Sequence, residues 1–329
     1  MRKEDAKWKV CVRCYTFNQA TYITDAMNGF TMQQTDFPFI CCIVDDASTD
    51  GEQEIIKKYM ETNFNIDNSI HSYIKKNFGT LIFARHKTNK NCFFAVILLK
   101  KNHNGSQELK YRKRSYIAEW EEVCEYEALC EGDDYWIDPN KLQIQADFLE
   151  SHPEYSMCFH EASILNETSS EFTYPHLENR PYSAKEVFKS WCVPTASILI
   201  KRNSLSYPQD KGYINGDIVL ILNAAKSGKI WGSSKKMSVY RIQNNGLTLS
   251  RLSNPLKHYQ KEIKHFKALY KHFPEITKIE YYRKLSNCYI NLGVTEIKHK
   301  NLKGFAYLGK GFYYSPKVFF KRINNLLKK

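Results

Sequence analysis

The chain has no glycine-rich phosphate cradle: neither G-x-G-x-x-G nor G-x-x-x-x-G-K-[ST] occurs in its 329 residues. Two common ways of holding a nucleotide's phosphates on backbone N–H groups are thereby excluded. It also lacks an apolar run of the ~20 residues a spanning helix needs. Its longest runs, 93–99 and 197–200, are strand-sized. The start, Met1-Arg2-Lys3-Glu4-Asp5, is charged and leads into no apolar stretch, so no secretory leader is expected. Zinc-site spacing is missing as well. Of the ten cysteines only Cys11 and Cys14 form a C-x-x-C, with no second pair and no His pair to complete it. Buried, reduced thiols in a cytoplasmic protein are the expectation. Asp is absent from residues 251–329, which carry 18 Lys and Arg against 4 Glu. The rest of the chain holds 30 basic and 31 acidic residues. A nearly neutral body thus carries a basic tail suited to an anionic surface, such as the inner face of the cytoplasmic membrane or a phosphorylated lipid. No nucleic-acid motif accompanies this charge, so no nucleic acid is expected as partner.

What is present reads as alternating strands and helices. Residues 9–15 form a first strand and 16–19 a turn. Helical spacing of Ile23, Ala26, Met27 and Phe30 follows over 21–33. The continuous apolar run 39–44 is a strand buried on both faces, and it ends in Asp45-Asp46-Ala47-Ser48-Thr49-Asp50-Gly51. A helix over 52–60 has Thr49 or Asp50 available as its cap. This order predicts a parallel βαβ unit. Further on, 81–85, 127–130 and 197–200 read as strands, 140–151 and 216–227 as helices, and 102–114 as an inserted polar loop. From about residue 254 the pattern is helical and rich in Tyr, Phe and Lys. Paired helices of the tetratricopeptide sort would suit that stretch. Two units are expected: an α/β one over 1–250 and a basic, aromatic helical region over 251–329.

Ligands of open parallel sheets bind beyond the carboxyl ends of the strands. Both acidic clusters, Asp45-Asp46 and Asp133-Asp134, are expected there. Two carboxylate pairs at one sheet edge repel unless a cation lies between them. Oxygen-only ligands select a hard ion, Mg²⁺ or Mn²⁺, which is commonly shared with substrate phosphates. Each aspartate could instead be a turn residue or a helix cap.

Three segments sharpen the choice. Thr16-Phe17-Asn18-Gln19, Met32-Gln33-Gln34-Thr35-Asp36-Phe37-Pro38-Phe39 and Val44-Asp45-Asp46-Ala47-Ser48-Thr49-Asp50-Gly51 resemble the nucleotide-binding half of the inverting family 2 glycosyltransferases. Cys130-Glu131-Gly132-Asp133-Asp134-Tyr135-Trp136, followed by Asp138-Pro139, resembles the metal-binding aspartate motif of the same family. The likeness covers roughly residues 8–250. It implies an α/β GT-A fold, Rossmann-like with a mainly parallel sheet flanked by helices, here with a C-terminal helical appendage. It implies a donor site at Thr16, Phe17, Asn18, Asp46, Ser48 and Asp133, with Asp46 on the uracil or ribose. Asp134 would reach the metal, Asp217 would be the catalytic base, and Trp136, Tyr240 and Arg241 would line the sugar and acceptor pocket. Phe17 stands where the family usually has Tyr, so stacking survives without the hydroxyl. Gln243 stands where a His ligand is common, and Asn89-Lys90-Asn91 departs from the usual Asn-x-Gly.

The implied reaction moves a sugar from a nucleotide diphosphate, UDP-linked by analogy, to a hydroxyl of a glycan or lipid-linked acceptor in bacterial surface polysaccharide synthesis. The metal would neutralise the departing diphosphate, and Asp217 would take the acceptor's proton in one inverting displacement. A nucleotidyltransferase would need a Gly- and Lys-rich loop at the first turn, which 16–19 lacks. The alternative in another class is an inactive module that binds nucleotide sugars or anionic surfaces.

Overall fold

The computed structural model describes residues 8–327 apart from 67–72, 105, 107–108, 110–111, 169–171, 207–212, 215, 244–253, 274 and 276–277. Strand β1 (Val10–Thr16), helix α1 (Ile23–Thr31), β2 (Phe39–Asp45) and α2 (Glu52–Asn63) follow one another as the sequence predicts. Next come β3 (Tyr73–Lys76), β4 (Gly79–Arg85), β5 (Cys92–Leu99), α3 (Ala118–Glu121), β6 (Tyr126–Leu129), β7 (Tyr135–Trp136) and α4 (Lys141–Ser151). The body ends with β8 (Tyr155–Asn166), β9 (Arg180–Tyr182), α5 (Ala184–Ser190), β10 (Leu199–Lys201), α6 (Gly216–Ser227) and β11 (Lys229–Ile242). Four helices close the chain: α7 (Pro255–His272), α8 (Lys278–Lys298), α9 (Lys303–Tyr314) and α10 (Pro316–Leu327). The step expected at 250/251 falls outside the described residues.

All eleven described strands join one sheet in the order β3-β4-β5-β2-β1-β6-β10-β8-β11-β7, with β9 also on β11. The expected helix-flanked α/β sheet is present, and its strand directions are mixed. A parallel centre, β5-β2-β1-β6, has antiparallel flanks. The reason is local: the tight turn at 77–78 joins β3 to β4 as a hairpin, and a parallel neighbour would need a crossover helix. The strand expected at 197–200 is also shorter, because Thr195–Ser197 is a turn of 3-10 helix and only Leu199–Lys201 pairs.

Antiparallel β10 lies between β6 and β8, so β8 and its parallel partner β11 run in the same direction as β1. The carboxyl ends of β1, β2, β5, β6, β8 and β11 therefore share one edge. The starts of β7 and β10 reach the same edge.

Strand β2 is buried at every position, as its unbroken apolar run requires. Phe39, Cys41 and Ile43 face the core beneath α1, α2 and α4, whereas Ile40, Cys42 and Val44 face a second core with Trp8 and Trp120. A third core joins α5, α6, β8 and β10 to Leu269 and Phe273 at the end of α7. Helix α7 thus shares a core with the body. All ten cysteines are buried and free. Among the described residues, no helix is long and apolar enough to cross a membrane.

Candidate active site

Glu52 organises the first corner. It is fully buried at the start of α2 and takes hydrogen bonds from the Thr16 hydroxyl, the Gln19 N–H (2.9 Å) and the Ser48 hydroxyl (2.8 Å). The loops after β1 and β2 are fastened together through this one carboxylate. Asn18 adds a second clasp: its N–H donates to Ser48 Oγ (2.9 Å) and its side-chain carbonyl accepts from the Thr49 N–H (2.8 Å). Asn18 has φ 53°, a left-handed conformation that Asn tolerates better than most residues. Phe17, between Thr16 and Asn18, is 40% exposed at the mouth of the cleft, free to lie against a flat ring.

Asp46 is fully buried, and both its oxygens are already engaged. The backbone N–H groups of His103 and Asn104 donate to it at 2.6 and 3.1 Å, and Lys113 Nζ at 3.1 Å. His103, Asn104 and Lys113, which belong to the stretch that reads from sequence as an inserted loop, hold this carboxylate at the end of β2. Beside it, an open cavity of about 330 Å³ is lined by Ser48, Thr49, Gln53, Lys57, Thr80 and Lys100.

The loop between β6 and β7 carries the second acidic group. Gly132 is obligatory: a Cβ there would sit 2.4 Å from Thr16 Oγ1. Asp134 is 2% exposed and accepts the Arg241 N–H at 2.9 Å. Asp133 accepts from the Gln243 amide at 2.7 Å. Burial and the neighbouring Asp133 charge push the Asp134 carboxyl well above its usual range, and burial raises Asp133 too. Glu131 opens to the cleft, yet the protein around it displaces enough water to raise it to about 7, helped by Asp133 and Asp217 and opposed by Arg13 and Lys113. Asp133, Asp217 and Lys113 thus all act on one cleft carboxyl. Asp217 stands in the first turn of α6, where Thr195 Oγ1 donates to it at 3.3 Å.

Two expected pocket residues are placed differently. Trp136 is 1% exposed, with its Nε1–H donating to the Ala196 carbonyl (2.8 Å) and its ring edge-on to Phe30. It is a core side chain and cannot wall a sugar, because β7 turns it inward beneath α1. Arg241 is likewise buried. Its guanidinium lies 4.3 Å over Tyr22 and donates to the Asp133 carbonyl (2.9 Å) and Asp25 (2.8 Å). It braces the metal-motif loop without facing substrate. Tyr240 is half-buried against Tyr174 and Phe172. Gln243 sits beside Asp133, closer to the chemistry than a surface amide would be. The fold also adds residues that the motifs alone did not single out: Glu52, Glu131, His103 and Lys113. Glu131 could have been found, since it lies within the 130–136 motif. Lys113 could not, because 67 residues separate it from Asp46.

Among the described residues, no three His, Cys, Asp or Glu side chains converge into a cage for an ion. The donor chemistry nevertheless fits a hard cation. Asp133, Asp134 and Glu131 are oxygen donors carried by one short loop, and burial pushes all three carboxyls up, Asp133 adding to the rise at Asp134 and Glu131. An incomplete oxygen set of this kind suits Mg²⁺ or Mn²⁺ that takes its remaining ligands from phosphate and water.

Uncharacterized protein Rv1520 of Mycobacterium tuberculosis and uncharacterized protein Mb1547 of Mycobacterium bovis are each 29% identical over 250 residues, 74% of this chain. The match spans 62% of those relatives, less than two thirds of their length. In structure, Staphylococcus aureus TarS 1-349 in complex with UDP-GlcNAc superposes with a TM-score of 0.55 at 14% identity, covering 96% of this chain and 92% of that one. The same protein in complex with UDP gives 0.52 at 15% identity with the same coverage. Residues 12–92 match the sequence model of the family described as Glycosyl transferase family 2, and the fold that surrounds them is of the GT-A glycosyltransferase kind, a mixed sheet flanked by helices with further helices at the C-terminus.

Proposed function

We propose that the protein is an inverting glycosyltransferase that moves a sugar from a nucleoside diphosphate donor to an acceptor hydroxyl. The observation that carries this reading is convergence. Four parts of the chain, the ends of β1 and β2, the β6–β7 loop and the first turn of α6, bring Thr16, Asp46, Glu131, Asp133, Asp134 and Asp217 to one sheet edge. The family match over 12–92 supports a nucleotide-sugar donor, and the TarS complexes support uridine diphosphate as the carrier.

In this reading the nucleoside lies at the corner of Thr16, Phe17, Asn18 and Ser48, with Phe17 against the base. Asp134, with Asp133 beside it, would hold a divalent cation, which would neutralise charge on the leaving diphosphate. Gln243 holds Asp133 and the Arg241 N–H holds Asp134, so both carboxylates keep a fixed aim. Thr195 Oγ1 donates to one oxygen of Asp217 and the Ile218 N–H to the other (2.9 Å), which aims this carboxylate to receive the proton of the attacking hydroxyl. A carboxylate of ordinary basicity near 4 cannot remove that proton in advance, so its transfer accompanies attack. One displacement inverts the anomeric centre. Tyr240 and Tyr174 offer ring faces beside Asp217 for a glycan acceptor. The proposed setting is synthesis of a bacterial surface polysaccharide.

Asp217→Asn tests the assignment. Transfer should fall ~10²–10⁴-fold, the usual range for loss of a general base. UDP binding by calorimetry should be unchanged. A variant that keeps full turnover removes Asp217 from the chemistry.

A further inference from the structure

We propose that α9 and α10 form a docking face for an anionic lipid bilayer, with α9 lying in the plane of the membrane surface. On α9, Leu302, Phe305, Phe312 and Tyr313 are 80, 62, 43 and 78% exposed, and Ala306 and Gly309 lie exposed between them. Steps of three and four residues put these side chains on one stripe. The opposite stripe, including Gly304, Tyr307, Leu308 and Gly311, packs on α8. A helix that is apolar on both faces normally has both covered. The stripe continues round the corner at Ser315-Pro316. There the Phe312 ring meets Phe319 (5.6 Å) and Phe320 (5.7 Å) edge-on, and Phe320 is 58% exposed.

Charge identifies the occupant. Lys303, Lys310, Lys317 and Lys321 flank the stripe, all exposed, and no Asp or Glu follows Glu296. Aromatic and aliphatic side chains bordered by lysines are the composition that settles at the headgroup boundary of acidic lipid. A second copy of the chain fits less well, because a two-fold contact would set these lysines against each other. Spanning is excluded by length: twelve helical residues reach ~18 Å against a core of ~30 Å.

The face is held rigidly. A Cβ on Gly304 would lie 2.5 Å from Ile297 and 2.6 Å from the Gly293 carbonyl, so the α8 and α9 backbones touch there. Ser286 Oγ donates to the Gly311 carbonyl (2.8 Å), and Arg322 ties α10 to Asn291 of α8 (2.9 Å). The Leu302–Phe320 stripe is thereby held pointing outward.

The test is vesicle co-sedimentation of the full chain. It needs neither donor nor turnover, so its outcome is independent of the transferase reading. Vesicles with roughly a third phosphatidylglycerol should carry the protein down and phosphatidylcholine alone should not, with binding lost as salt rises. Phe305→Ser with Phe312→Ser and Phe320→Ser should weaken binding at least ~10-fold, with circular dichroism and melting unchanged. Replacing the four lysines by Gln should do the same. Equal binding to both vesicles, or a triple variant that binds undiminished, overturns the proposal. So does a wild-type dimer in light scattering that the triple variant dissolves while vesicles are ignored. RNA binding without vesicle binding overturns it too.

Discussion

Lys141 and Glu131 titrate in opposite senses, which separates a side chain committed to the core from one committed to the cleft. Lys141 is fully buried 4.1 Å from the Trp136 ring, and its ammonium donates to Gln145 (2.7 Å). Burial lowers it to about 7. Between pH ~7 and its ordinary ~10.5 the unfolded chain binds a proton that the folded chain has released, so stability climbs with pH across that window. Lys141→Met should abolish the climb in urea titrations. Because a tenfold loss of proton affinity on folding costs about 1.4 kcal/mol, the substitution should stabilise the fold near neutral pH unless the lost Gln145 bond offsets the gain. Glu131, raised to about 7, works the other way. Between pH ~4.5 and 7 the folded chain keeps a proton that the unfolded chain has lost, so stability falls as pH rises. In EDTA, Glu131→Gln should flatten that fall, and an unchanged slope would show that Glu131 is solvated like a surface acid. The acidic motifs were legible in the sequence because they sit in short contiguous strings. The direction each side chain takes was not: Trp136 and Arg241 share those strings yet turn inward, a choice made by α1 and β11 packing over them.

Elements were legible where the period was strong. Strand β2 and helices α1, α2 and α4 follow the predicted patterns within two or three residues at their ends. The antiparallel flanks were missed because strand order depends on pairing partners, which no local period encodes. Closely packed helices carry their own prediction. Gly304→Ala forces a methyl into the space between Ile297 and the Gly293 carbonyl, and overpacking of this kind costs ~1–3 kcal/mol. The loss should appear in thermal unfolding. Gly309→Ala, on the open side of the same helix, should be neutral or stabilising, since nothing lies within 4 Å of its Cβ position. Helix α5 supplies a second case. Ser183 and Glu186 form a reciprocal capping box, so Ser183→Ala should cost ~1 kcal/mol.

At the scale of the whole molecule, the separation of charge seen in the sequence is only partly a separation in space. Leu269 and Phe273 carry the basic region into the core of α5 and α6, so cutting the chain before α7 should expose apolar surface and cause aggregation on expression. The proposed metal dependence belongs to this scale as well, because the carboxylates it would use come from a cleft that the entire sheet assembles. Excess EDTA should abolish transfer, and Mn²⁺ should restore it. Full turnover in EDTA would remove the cation from the reaction. The hold of His103, Asn104 and Lys113 on Asp46 bears on the proposed donor selectivity. An incoming base can gain a bond to that carboxylate only by evicting His103, Asn104 or Lys113, and such an exchange yields little net free energy. On the proposed function, discrimination between pyrimidine and purine donors would then rest on groups other than this carboxylate, and mutating the aspartate should leave the accepted carrier unchanged.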